Sequence, residues 1–167
     1  MAELTAQERL QPALLDRLTD HAPDNKKPES REARVMSKQQ LREAVLRDLA
    51  WLFNSSRPTH IDWAGCPHAE HSVINYGLPV LSGQTASSLD VVELEGAIRQ
   101  AITEFEPRLM RESLRVDAVV SEMQLDHHNI VSVEIRGQLW AQPMPIELLL
   151  RTEVDLETGQ VNIQEMA

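Results

Sequence analysis

The chain has 167 residues, of which 42% are hydrophobic, so it is long enough to bury the core of one domain. Its 26 acidic and 16 basic side chains give a net charge of −10, and no run of Lys and Arg is present, which argues against binding to nucleic acid or to anionic membranes. The single cysteine, Cys66, excludes an internal disulfide bond, and neither a signal peptide nor an apolar stretch of about 20 residues is found, so we expect a cytoplasmic protein.

An N-terminal arm and linker is predicted over residues 1–35. Pro12 stands where the first turn of a helix tolerates proline, and Leu14, Leu15 and Leu18 then fall on one short apolar face. A helix this short is only marginally stable alone. The face therefore needs a surface to pack on, either in the same domain or in a partner.

The arm continues into a polar, charged stretch at residues 20–34, which we interpret as a flexible linker to a domain spanning residues 36–167. An amphipathic helix opens that domain. Ser37 and Gln40 have the spacing of a capping box, and the apolar stripe behind them runs to about Asn54. This stripe is expected to face the core.

A second amphipathic helix is predicted from Asp90, which caps its first turn, to Glu106. Pro107 disfavours helical geometry at Glu106 and fixes its own backbone angle, so Glu106 and Arg108 carry opposite charges on a stiff corner. Two interpretations remain open. The corner is either a helix stop flanked by solvated charges, or a rigid, exposed turn that matters for assembly more than for folding. In the second interpretation Arg108 can bind a carboxylate bidentately, and a buried pair of this kind usually serves specificity.

Alternation of apolar and polar residues predicts three strands, followed by a short strand at 161–165. Turns at 126–129 and 158–159 are short, so the strands are expected to be antiparallel neighbours. The predicted fold is α+β, with a helical layer packed on an antiparallel β-meander of about four strands. The long strand at 146–155 is expected to be central, which makes 114–122 and 161–165 the edges. The alternating apolar positions are Leu114, Val116, Ala118 and Val120, then Val131, Val133, Ile135 and Leu139, then Ile146, Leu148, Leu150 and Val154.

A loop between the helices contains four residues of zinc-ligand types, namely His60, Cys66, His68 and His71. Their spacing matches no recognised zinc finger, and no second cluster completes one. We therefore favour a polar loop with a semi-buried cysteine and predict no metal, although a metal site remains an alternative for this loop.

The sequence offers no constellation that is typical of catalysis. Carboxylates are numerous but scattered, and neither a Gly-x-Ser-x-Gly elbow nor a glycine-rich phosphate loop is present. No enzyme activity and no cofactor are therefore predicted. The three tryptophans, Trp51, Trp63 and Trp140, are interpreted as core residues rather than interface anchors.

Four segments in this order resemble the phage baseplate-wedge family, which carries a legacy "lysozyme" label, and within it the TssE proteins of the bacterial type VI secretion baseplate. The combination of Asn-Tyr-Gly-Leu-Pro with Glu-Pro-Arg at this separation is the specific part of the resemblance. The similarity covers about residues 12–165 and does not include the His/Cys loop. The segments are 12–18 (PALLDRL), 42–49 (REAVLRDL), 72–79 (SVINYGLP) and 105–109 (FEPRL).

The resemblance implies a structural component of the baseplate wedge that lies beside the wedge subunits F, G and K and starts the contractile sheath by offering a sheet edge for strand addition. Glu106, Pro107 and Arg108 match the family's Glu-Pro-Arg motif and are implied to contact wedge partners. The apolar face of the arm is implied to dock on a neighbouring subunit.

Two other functions remain open at this point. The family label suggests a peptidoglycan-cleaving muramidase, which fits badly with the lack of an export signal. Related domains act as anti-adaptors in bacterial stress control, so a regulatory protein-binding module is a further alternative, although such a module does not need the leucine-rich arm.

Overall fold

The computed structural model describes residues 12–19, 24, 36–58, 60–83, 90–119, 129–141 and 144–166. Apart from residues 24 and 129, the predicted linker at 20–34 and the predicted turn at 126–129 lie outside these ranges. The helices are α1 (Leu14–Leu18), α2 (Lys38–Phe53), α3 (Pro67–Glu70) and α4 (Val91–Phe105), with 3-10 turns at Val73–Asn75 and Arg111–Ser113. The strands are β1 (Arg115–Val119), β2 (Ile130–Leu139), β3 (Ile146–Asp155) and β4 (Val161–Glu165).

The four strands form one antiparallel sheet in the order β1-β2-β3-β4. Burial alternates along β3, so one face of the sheet is apolar and the other is polar. Helices α2 and α4 supply the apolar side chains that cover the buried face, and the core lies between these two layers. The predicted α+β class, with a helical layer on a four-stranded meander, is confirmed, as are β1 and β4 as the edges.

Local capping explains where the two long helices begin. The Ser37 hydroxyl accepts a hydrogen bond from the backbone N–H of Gln40, and the Gln40 side chain accepts one from the backbone N–H of Ser37, which is the predicted capping box. Asp90 caps α4 by accepting from the backbone N–H groups of Val92 and Glu93. These bonds satisfy donors that the first helical turn leaves without partners.

A tight turn at Gly77 brings the region after α3 against the residues that follow α2. Gly77 has φ +117°, and a Cβ at this position would lie 2.3 Å from the backbone oxygen of Ser55. The same place holds a short parallel bridge, in which Leu78 N–H donates to Ser55 and Arg57 N–H donates to Leu78. Only glycine fits this conformation and this approach. The predicted short helix at 71–76 is replaced by the 3-10 turn at Val73–Asn75.

Three side-chain predictions are wrong. Trp51 and Trp140 are each about half exposed rather than buried, and Cys66 is exposed rather than semi-buried. Trp51 lies on the side of α2 that faces away from the sheet, because Leu49, Leu52 and Phe53 already occupy the inward positions. Trp140 directly follows the inward-facing Leu139, which sends it to the opposite side.

Candidate partner-binding site

The Glu-Pro-Arg corner lies where α4 turns towards β2. Glu106 ends the helix, as predicted, and its backbone N–H donates to Ile102. The chain turns at Pro107, and Leu109 then forms a bridge to Leu139 while the carbonyl of Arg108 accepts from Trp140 N–H at 2.8 Å. Backbone bonds on both sides therefore fix the corner to the helix and to the sheet.

The Glu106 carboxylate is buried, with only 3% of the residue exposed, so the expectation that the charges of this corner are exposed or solvated is wrong for Glu106. Its Oε1 accepts from Arg108 Nε at 2.6 Å and from Arg108 backbone N–H at 3.2 Å, while Oε2 accepts from Nη2 of the same guanidinium. The side-chain geometry is the bidentate arginine–carboxylate pair, which is the strongest form of this interaction. The corner is thus a largely desolvated pair with a half-buried arginine at its surface.

Asp48 of α2 completes the site, although sequence reasoning did not select it. Its Oδ2 accepts from Arg108 Nη2 at 2.6 Å, and its Oδ1 accepts from Arg47 Nε at 2.9 Å. The sequence feature that could have identified Asp48 is its position within the 42–49 segment, one of the four segments that resemble the baseplate-wedge family. Arg47 also donates through Nη1 to Asp16 of α1 at 2.7 Å, and it lies over the ring of Trp51.

The electrostatic surroundings keep both arginines charged. Burial lowers the pKa of the Arg108 guanidinium, but the hydrogen bonds and negative charges of Glu106 and Asp48 outweigh this effect and raise the pKa above its ordinary value. Arg47 behaves in the same way: burial lowers its pKa, and bonding to Asp16 and Asp48 raises it by more. Neither group acts as an acid or a base near neutral pH.

A groove of about 460 Å³ adjoins this ionic network, and it brings the two specific motifs together. Tyr76, from the Asn-Tyr-Gly-Leu-Pro segment, packs edge-on against Phe105 with ring centroids 5.2 Å apart. Burial, followed by the charges of Asp48 and Glu106, raises the pKa of the Tyr76 hydroxyl. The groove is lined by Ala13, Met36, Leu41, Asp48, Leu49, Trp51, Leu52, Tyr76, Phe105, Glu106, Pro107 and Arg108.

The arm helix α1 contacts its own domain through a polar side chain rather than through its leucines. Asp16 forms the bond to Arg47, and Ala13 lines the groove. Leu14 and Leu18 are 73% and 75% exposed, and Leu15 is 42% exposed. Within the described ranges, the three leucines therefore present an apolar face that the domain does not cover.

The two sheet edges differ in how their outward backbone groups are bonded. At the β1 edge, α4 provides the partners: Ala118 N–H donates to Glu95 Oε1 at 2.8 Å, and Val116 carbonyl accepts from Arg99 Nη2 at 3.4 Å. At the β4 edge, both outward groups of Val161 bond to the side chain of Asn54, at 3.0 and 2.9 Å.

The rest of the β4 edge remains open. In an antiparallel strand the residues that face outward alternate, so after Val161 they are Ile163 and Glu165. No described residue bonds to the outward backbone groups of these two. The side chain of Arg42 does not bond to these backbone groups. It donates to the Glu165 side-chain oxygen Oε1 at 2.9 Å and to the carbonyl of Glu147 at 3.1 Å, and Glu147 lies beyond the end of β4.

The loop with His60, Cys66 and His68 is the one that the sequence offers as an alternative metal site. Among the described residues, no three His, Cys, Asp or Glu side chains come together in a way that could hold a metal ion. His71 lies 3.2 Å from Glu104 on α4 and so bonds away from His60, Cys66 and His68.

Among the residues that the structure describes, no helix has the length and apolar character needed to span a membrane.

The family comparison agrees with this geometry. The model of the family described as "Baseplate wedge protein gp25" matches residues 39–144, which is well over half of the chain and includes all of α2 but its first residue, most of the groove lining and the Glu-Pro-Arg corner. No curated protein and no solved structure gives a significant match. The chain therefore belongs to the baseplate wedge protein gp25 family.

Proposed function

We propose that this protein is the type VI secretion member of the family, and that it starts the contractile sheath by accepting a strand on the edge of β4. Its membership of the family supports a structural role in a phage-like baseplate, and the proposal includes no enzyme activity. The proposal places it in the cytoplasm, where it joins the wedge and contacts the first sheath subunits.

The observation that carries the proposal is the difference between the two edges. Glu95 and Arg99 occupy backbone groups along β1, whereas Ile163 and Glu165 keep theirs free among the described residues. An added strand gains affinity from main-chain hydrogen bonds, so an edge with free donors and acceptors is the better acceptor. Because this open stretch of β4 is short, it suits specific pairing with a short segment of an added strand.

The wedge contacts are proposed at the Glu-Pro-Arg corner and the groove beside it. Arg108 is a half-buried, oriented guanidinium beside an apolar groove, and interface hot spots are rich in arginine and in aromatic residues such as Trp51 and Tyr76. We propose that the wedge subunits F, G and K bind here at the corner of Glu106, Pro107 and Arg108, where the buried Glu106 acts by holding the Arg108 guanidinium in place. The exposed leucines of α1 (Leu14, Leu15 and Leu18) extend the same surface.

A set of edge variants tests sheath initiation. Proline has no N–H, so Ile163→Pro removes an outward donor of β4 without removing a bond to β3. Two controls separate this from other effects: Ile163→Thr keeps the N–H but shortens the side chain, and Ala118→Pro removes an outward N–H at the β1 edge, the one that Glu95 already occupies. The readout is the number of sheaths formed when sheath subunits are added to assembled baseplates.

We expect Ile163→Pro to abolish sheath initiation, whereas Ile163→Thr and Ala118→Pro retain it. Circular dichroism verifies that each variant is folded. Normal sheath numbers from a folded Ile163→Pro variant would show that strand addition on β4 is the wrong mechanism, and the groove at the corner would then have to support assembly alone.

A further inference from the structure

Five charged side chains form one continuous series between the arm and the corner: Asp16, Arg47, Asp48, Arg108 and Glu106. Every neighbouring pair in the series is within 2.9 Å. Asp48 is its centre, because each of its two carboxylate oxygens bonds to a different arginine. The arm at one end is thus connected to the Glu-Pro-Arg corner at the other.

The arm side of the series decides how Asp48 is shared. Arg47 donates Nη1 to Asp16 and Nε to Asp48, with its Nη2 only 2.8 Å from the same Asp48 oxygen. If Asp16 is absent, the planar fork of Arg47 is free to take both oxygens of Asp48. Arg108 then loses its second carboxylate and keeps Glu106 alone.

Burial strengthens the competition between Arg47 and Arg108 for the carboxylate of Asp48. The side chain of Asp16 is only 9% exposed when α1 is docked, and those of Arg47 and Asp48 are 32% and 26% exposed. Of these three side chains only Asp16 is well shielded from water, and its burial makes the pair with Arg47 stronger than a fully exposed pair. The leucines of α1 point away from the domain, so this ionic contact is the principal described bond that holds the arm beside the groove.

We propose that Asp16 and Arg47 are positioning residues for Arg108: docking of the arm on α2 holds the corner guanidinium in the orientation that binds a wedge partner. Arm docking and corner binding are therefore coupled, and each favours the other. The partner-binding half of this inference rests on the proposed function, whereas the positioning half concerns the isolated protein.

Nuclear magnetic resonance on the isolated full chain tests the positioning half. The Nε–H signal of Arg108 reports its bonds to Glu106, and its exchange with water reports how firmly the guanidinium is held. Asp16→Asn should shift this signal and speed its exchange, and Asp16→Glu should restore both in part. The control Asp117→Asn, at an exposed carboxylate on β1, should leave the signal unchanged. A signal that does not respond to Asp16→Asn would overturn the proposal.

Binding to co-purified wedge subunits tests the coupling. Asp16→Asn should weaken binding by about five- to tenfold, the lower end of the range expected for coupled sites. The same change should have no further effect in an Arg108→Ala background, because the arm acts through that residue. Fully additive losses would mean that Asp16 contacts the partner directly, which contradicts positioning. If the unaltered chain binds no wedge subunit, the proposed function fails, and the Arg108 signal still decides the positioning.

Discussion

Removing Arg108 should destabilise the fold as well as weaken assembly, which is the opposite of what an exposed corner predicts. Arg108→Ala leaves the carboxylate of Glu106 in a site where only 3% of the residue is exposed, with one backbone N–H as its remaining donor. Breaking a buried pair from one side costs about 3–5 kcal/mol. Such a loss is a large part of the stability of a domain this size.

Glu106→Ala should cost less, about 1–3 kcal/mol, because Arg108 is only half-buried and keeps its bond to Asp48. The double variant should be less destabilised than the sum of the two single variants, since no unpaired charge is left behind. The pair Glu134–Arg136 provides the control, because its arginine side chain is 61% exposed, and Glu134→Ala should change the unfolding midpoint far less than Arg108→Ala does.

Urea unfolding followed by circular dichroism measures these differences, with the melting temperature as a second readout. For a chain of this length, the loss expected for Arg108→Ala lowers the melting temperature by roughly 10 °C. If Arg108→Ala unfolds at the same urea concentration as the unaltered chain, the argument from burial is wrong. The corner would then behave as a solvated turn whose charges serve assembly alone.

Three further outcomes are expected. Gly77→Ala should destabilise by about 2 kcal/mol or more, because the new Cβ meets the Ser55 carbonyl at 2.3 Å in a left-handed conformation; a wild-type urea midpoint would refute the steric argument. Bonds from the Thr158 side chain and from the N–H groups of Thr158 and Glu157 lower the pKa of Asp155 below 3.8, so its stabilising contribution is present at neutral pH and is lost as the pH falls through the lowered pKa. A carboxyl titration by nuclear magnetic resonance checks the direction, and a pKa at or above 3.8 would contradict it. Deleting residues 1–30 should leave a folded core, since the described contacts of α1 with the domain are few; loss of the cooperative thermal transition would show that the arm is part of the fold.

The features that the sequence predicted well are those set by near neighbours. The caps at Ser37 and Asp90, the helix end at Glu106 and the alternation in β3 depend on residues a few positions apart. Short connections between consecutive strands predict that these strands are neighbours, and this gives the order β1-β2-β3-β4. Local physical rules were sufficient for the fold class.

The features it missed depend on contacts between distant parts of the chain. Asp48 and Arg108 are 60 positions apart, and nothing near Asp48 marks it as the residue shared by two arginines. The burial of Glu106 depends on how α2 packs against the end of α4. Trp51 was assigned to the core because it is large and apolar, whereas the helix register places it beside Arg47.

The unequal edges also have a consequence for stoichiometry. A sheet with two open edges accepts strands on both sides, so copies of the chain can stack on one another without limit. Here the bonds from α4 occupy one backbone group each of Val116 and Ala118 in β1, and Asn54 occupies both outward groups of Val161. Among the described residues, both outward groups of Ile163 and of Glu165 in β4 are left without partners. On the proposed mechanism of strand addition, a protein built in this way would accept one strand in one direction. It would then act as the starting end of a polymer and not as one of its repeating units.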